Sequence, residues 1–102
     1  MAFRRPTVRS RSAPPFNLFA SMPYFVYVLK SEITGSSYVG HTSNVEKRLV
    51  EHNNGKNLST RGKRPWRLVH KEEYTTRSEA VSRERYFKSV GGRFELKARG
   101  IL

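Results

Sequence analysis

FVYVLKSEITGSSYVGHTSNVEKRLVEH, residues 25–52, changes character twice. It begins as an aromatic and β-branched run, breaks at Thr34-Gly35, resumes as SSYVG and then turns charged with helical spacing. With Tyr24 included, YFVYVLK (24–30) is apolar almost throughout, the composition of a central strand covered on both faces rather than a half-exposed one. Thr34-Gly35 supplies a turn, and SSYVG (36–40) reads as the antiparallel return. Pairing Ser31 with Ser36 sets Leu29 opposite Tyr38, which puts Tyr27 and Tyr38 diagonally adjacent on one face of the sheet. A slip of one residue would separate the two tyrosines.

Ser43-Asn44-Val45-Glu46 has the Ser-x-x-Glu form of a capping box, and the helix it opens should stop near Asn54-Gly55. Val45, Leu49 and His52 fall at i, i+4 and i+7 on that helix. Arg48 lies one step round and four residues before His52, so the two share a face beside the apolar stripe. GKNLSTRGKRP (55–65) is polar, basic and punctuated by Gly and Pro, which predicts a loop. WRLVHKEEY (66–74) is a third strand by residue preference, its partner undetermined. Thr76-Arg77-Ser78-Glu79 is a second capping box, and Ala80, Glu84 and Phe87 follow at i, i+4 and i+7. Glu84 therefore stands where a hydrophobe belongs. The tail GGRFELKARGIL adds a short helix, with Gly91-Gly92 marking the break before it.

A chain of 102 residues has room for one domain with a small core. Twenty Lys and Arg against eight acids give a net charge of +12, which points to a polyanionic partner, nucleic acid first. No apolar run reaches the length of a membrane span, and the charges are spread along the chain rather than gathered on one amphipathic segment, which argues against a membrane role. The absence of cysteine removes disulfides, thiol nucleophiles and the usual structural zinc sites, and a cytoplasmic location is expected. Residues 1–21 hold four arginines, three prolines and no acid, and read as a disordered basic arm ahead of a domain over 22–102. Their Arg and Ser content resembles an organelle transit peptide, and the plainer alternative is that synthesis starts at Met22. Without the arm the remaining 81 residues keep +8, so the nucleic-acid argument does not depend on it.

Taken singly, the polar residues near the first two strands have ordinary explanations. Strand tyrosines are mostly core or sheet surface, a helical arginine is mostly a solvated residue, and a histidine on an apolar stripe is mostly a satisfied core group. Glu84 is harder to dismiss, since an ionised carboxylate on a buried face must be paired, with Arg48 or Lys88 as partners, or must bind a cation. The chain has no Asp, no His-x-His and no His-Glu-x-x-His. A hard cation held by very few protein groups and by substrate phosphates, which describes magnesium, is what remains. Two tyrosines, an arginine, a histidine and one inward glutamate on a cationic domain suit phosphodiester hydrolysis.

FVY at 25–27, ten intervening residues, YVG at 38–40, then Arg48, His52, Asn53, Gly55 and Glu84 resemble the GIY-YIG nuclease family, especially its small stand-alone bacterial members. The resemblance runs from about Tyr24 to Lys88, with Phe25 in place of the first glycine. It implies an α+β fold: a three-stranded antiparallel sheet flanked by helices in ββαβα order, in agreement with the elements read above. It also implies a metal-dependent DNA endonuclease, using Mg²⁺ or Mn²⁺, with DNA repair or recombination as a setting. Tyr27 and Tyr38 match the motif tyrosines and are joint candidates for activating water. Arg48 matches the arginine that would grip phosphate oxygens, His52 a position of histidine or tyrosine, and Glu84 the metal-binding glutamate. His41, directly after YVG, is either a proton relay or a plain loop residue. Lys56, Arg61, Lys63, Arg64 and Arg67 crowd the segment around the third strand's start and are expected to contact DNA phosphates. A catalytically weak nucleic-acid-binding module of the same fold is the alternative, and charge does not separate the two.

Overall fold

The computed structural model of the protein describes residues 23–102, so the expectations for the arm at 1–21 and for a start at Met22 lie outside the described residues. Strand β1 (Tyr24–Ser31) is central, hydrogen-bonded on one side to β2 (Ser37–Thr42) and on the other to β3 (Trp66–Tyr74), both antiparallel. Its apolar run is needed because both faces are covered, and Val26, Tyr27, Val28 and Leu29 are all buried. The Ser31 amide donates to the Ser36 carbonyl at 2.8 Å, and Leu29 stands opposite Tyr38. Helix α1 (Val45–Asn53) covers one face, where Tyr27, Leu29, Val45 and Trp66 form a core with Tyr38, Leu49 and Leu68 packed against it. After the short α2 (Leu58–Arg61) and β3, helices α3 (Arg77–Lys88) and α4 (Val90–Ala98) lie on the other face, closing a second core of Val26, Val28, Val39, Ala80, Phe87 and Leu96. The result is the expected α+β fold with an antiparallel three-stranded sheet.

Three local expectations need correction, and the open question of the β3 partner is answered. The 55–65 segment is not all loop, because Asn57 caps α2, its side chain accepting from the Ser59 amide at 2.9 Å. Helix α1 is capped by Asn44 rather than by a Ser43–Glu46 box. The Thr42 hydroxyl accepts the Asn44 amide at 3.1 Å, which holds the turn one residue later, and the Asn44 side chain takes the Lys47 amide at 3.0 Å. The box at Thr76–Glu79 does form. The break between α3 and α4 falls at Ser89, which caps α4, while Gly91 and Gly92 lie inside its first turn. Gly92 answers to packing instead, since a Cβ there would lie 1.8 Å from the Tyr86 carbonyl oxygen. Finally, β3 is shown to pair with β1, and its register shifts between Val28 and Leu29, leaving Val69 to pack into the α3/α4 core.

On that second face Glu72 accepts from His70 Nε2 at 2.8 Å, Tyr74 Oη at 2.6 Å and Arg83 Nε at 2.8 Å. Burial alone would raise its pKa, but the hydrogen bonds from His70, Arg83 and Tyr74 outweigh it and hold the carboxyl well below its ordinary range. The Arg83 guanidinium also lies 4.3 Å over the Phe87 ring, tying the ion pair to the core. Glu72→Gln should therefore cost about 1–3 kcal/mol in urea unfolding, because the half-buried Arg83 exchanges its charged acceptor for a neutral one and keeps only Glu95, at 3.4 Å, as a carboxylate partner. A depressed carboxyl contributes stability above its unfolded pKa and loses it as pH falls toward the folded value. Wild-type stability should thus decline below pH 4.5, and the variant's decline should be shallower.

Candidate active site

The site is built at the β2 edge of the sheet. Tyr27 reaches toward that edge across Gly40, its partner in the pairing, and a Cβ on Gly40 would lie 2.6 Å from the Tyr27 hydroxyl. Glycine at this position leaves room for the phenol. The buried Tyr27 Oη lies 3.1 Å from Nε2 of His52, which is 1 % exposed at the end of α1. The other ring nitrogen of His52, Nδ1, lies 2.9 Å from the hydroxyl of buried Thr60 on α2. Thr60 donates that hydroxyl's proton to the Asn57 carbonyl at 3.3 Å. With the Thr60 hydroxyl turned to the Asn57 carbonyl, we assign the imidazole proton of His52 to Nδ1, which leaves the Nε2 lone pair to the Tyr27 hydroxyl. A directed chain, Tyr27 to His52 to Thr60 to Asn57, follows.

The chain is held by its surroundings. Trp66 Nε1 donates to the Thr60 carbonyl at 2.8 Å, and Asn53 exchanges two bonds with the Trp66 backbone, at 2.7 and 3.0 Å. These lock α1, α2 and the start of β3 together. Tyr38 stands edge-on to His52, ring centroids 4.8 Å apart, and 6.2 Å from the Tyr27 ring.

Burial pushes the Tyr27 phenol well above its ordinary value of 10.0, with Tyr38 and Glu84 acting in the same direction and the Arg48 guanidinium against it. Burial, and then Arg48, push His52 below its ordinary 6.5. Neutral imidazole beside neutral phenol is the resting state. Exposed Arg48 bonds Glu51 at 3.3 Å, the partner it takes in place of Glu84.

Glu84 approaches from the other face. Its carboxylate accepts from Nδ1 of His41 at 2.5 Å and from Nζ of Lys88 at 2.6 Å. Burial would raise its pKa, but Lys88 and His41 together lower it. His41 is a β2 residue paired with Val26 rather than a loop residue. Four of the five residues singled out by sequence therefore gather on the α1 side, and Glu84 stands across the edge strand. Its charge still reaches Tyr27.

The five cations differ in placement. Lys56 lines a groove of ≈ 340 Å³ with Arg48, Glu51, His52, Asn57 and Leu58. Arg61 and Arg64 each spend one donor on the segment's own backbone, at the Gly55 and Arg61 carbonyls, and Lys63 is exposed. Arg67 alternates with Trp66 and Leu68, which pack on the α1 side, so it stands on the opposite face of β3.

Among the described residues no three His, Cys, Asp or Glu side chains gather to cage a metal. The single carboxylate of Glu84 fits a hard, largely hydrated cation held by one protein group and by substrate phosphate oxygens, as magnesium is held, and does not fit a caged zinc.

Residues 23–97 match the family model described as the GIY-YIG catalytic domain. The chain belongs to the GIY-YIG family, a family of nucleases, as its spaced tyrosine triplets suggest. Within it, the chain is similar to the proteins called UPF0213. The UPF0213 protein SERP0126 of Staphylococcus epidermidis is 43 % identical over 75 residues, covering 72 % of this chain and 90 % of the relative. The UPF0213 protein HQ_3675A of Haloquadratum walsbyi is 45 % identical over 67 residues, covering 65 % and 74 %. The solution NMR structure of the UPF0213 protein BH0048 from Bacillus halodurans matches 78 % of this chain and 85 % of its own, at 32 % identity and a TM-score of 0.48.

Proposed function

We propose that the protein is a metal-dependent DNA endonuclease. The hydrogen-bonded chain from Tyr27 through His52 to Thr60, with Arg48 beside it and Glu84 across the edge, is the observation that supports this reading. A phenol with a raised pKa is a poor free base, since its phenolate is disfavoured. Tyr27 has no need to ionise in advance: its oxygen accepts a proton from the attacking water as its own proton passes to Nε2 of His52. Arg48 gives a fork of donors to the non-bridging phosphate oxygens as charge builds there. A divalent cation, Mg²⁺ or Mn²⁺, held by Glu84 would neutralise charge on the scissile phosphate and the leaving oxygen. Tyr38, less buried and edge-on to the same imidazole, is the other candidate for the water-activating role.

One observation favours a second reading, a nucleic-acid-binding module with little turnover. Both Glu84 oxygens already have partners in His41 and Lys88, so a cation has to compete with a histidine and an ammonium for the same carboxylate. Plasmid, single-stranded, flap and branched DNA incubated with and without Mg²⁺ or Mn²⁺ decide between the two. Metal-dependent nicking of any substrate supports the nuclease, and tight binding with no nicking across the panel supports the module. Repair or recombination in the cytoplasm is the setting we propose for a branched-DNA preference. No helix among the described residues is long and apolar enough to cross a membrane.

Replacing Lys63 and Arg64 together with Ala should weaken DNA binding for all sequences alike and flatten the dependence of log K on log salt by up to about two units, one per lost phosphate contact. An unchanged slope would remove this segment from the DNA surface.

A further inference from the structure

Three grooves share Arg48, and two of them also contain Glu51. The remaining one, ≈ 260 Å³, is lined by Tyr24, His41, Thr42, Ser43, Arg48 and Arg77, with no carboxylate among them. It opens where the start of β1, the end of β2 and the first turn of α3 meet. Arg77 has no carboxylate within ion-pair distance among the described residues. Its guanidinium lies 5.7 Å over the Tyr24 ring, and that packing limits its rotamers. Arg48 shares its charge with Glu51 and His41 is bonded to Glu84, so Arg77, unpaired among the described residues and flanked by two hydroxyl residues, is the group that makes the groove a receptor for a compact oxyanion. The first turn of a helix adds favourable potential there.

From this the geometry points to a second phosphate site: the Tyr24–Arg77 groove takes a backbone phosphate neighbouring the scissile one, with Arg77 as its principal donor. Arg48, common to this groove and to the one beside His52, then stands between the two phosphates and fixes the strand's path around the β2 edge. The identity of the anion as a DNA phosphate rests on the nuclease reading. The groove's preference for phosphate does not.

The test uses inorganic phosphate first. Titrated into the full chain at constant ionic strength, with chloride as the balancing anion, it should shift the NMR amide signals of Thr42, Ser43 and Arg77 saturably. Arg77→Ala should abolish those shifts. Arg85→Ala, which removes the same charge from an exposed position of the same helix outside the groove, should keep them. In metal-free DNA binding, Arg77→Ala should lower the salt slope by about one unit. Absence of a saturable shift in the wild type, shifts that persist in Arg77→Ala, or an unchanged salt slope would each overturn the proposal. If the slope falls as expected but the wild type nicks no DNA with any metal, the phosphate site stands and the nuclease reading falls.

Discussion

Glu84→Gln should lower metal-dependent nicking by at least about 10²-fold in a protein that remains folded. The substitution keeps the side chain's volume and an oxygen that still accepts from His41, but removes the charge that would hold the cation. A lowered pKa keeps the wild-type carboxylate ionised at any working pH, so protons do not compete for it; Lys88 and His41 do. Half-maximal activity should accordingly need a high concentration of divalent cation. Exposed ion pairs such as Glu84–Lys88 are worth about 0–1 kcal/mol, so the melting temperature should move little. Metal-free DNA affinity should hold or rise, because a negative group near the phosphate has gone. Full nicking activity in folded Glu84→Gln protein would remove Glu84 from the chemistry and leave it as the ion-pair partner of Lys88 and His41.

The sequence carried the sheet because alternation and turn chemistry are local. Once Thr34-Gly35 is taken as the turn, the facing of Leu29 and Tyr38 follows, and a slip would have turned the apolar residues of β2 to the wrong face. The residues around α1 were legible for the same reason: a spacing of four joins Arg48 to His52 without any knowledge of the sheet. Thr60 was not. It lies in a basic segment with no apolar period, on a helix of four residues, and the one available signal was the Asn57-x-Ser59 cap. Nor was the side from which Glu84 approaches, since helical spacing places it inward but only the strand order β2-β1-β3 tells that inward means past an edge strand, where His41 meets it. Gly91-Gly92 misled because glycine signals a break when only the chain is considered, whereas here α4 presses against the carbonyl of Tyr86 and needs the missing side chain.

Tyr27→Phe should leave the fold in place and lower nicking by about 10²- to 10⁴-fold, the range for loss of a positioned base. The ring stays packed among Leu29, Val45 and Trp66, so the stability cost is confined to the unsatisfied Nε2 of His52, about 1–2 kcal/mol. The mechanism also fixes a sign for pH. His52 must be neutral to accept the Tyr27 proton, and its pKa is lowered, so activity should be lost as pH falls through a value below 6.5. Thr60→Val tests the chain one step further out. It removes the acceptor that holds the imidazole proton on Nδ1, freeing that proton to move to Nε2, where it would face the phenol and block the transfer. Nicking should drop about tenfold, with the acid limb moving to lower pH, because the imidazolium has lost a partner. A merely structural Thr60 would change the melting temperature and leave the pH profile of the folded enzyme where it was. Were Tyr38 the base, Tyr38→Phe would show the large loss and Tyr27→Phe would retain most activity, with Thr60→Val leaving the acid limb unmoved. A fully active Tyr27→Phe protein would return Tyr27 to the core as a packing residue and take the proton chain out of the mechanism.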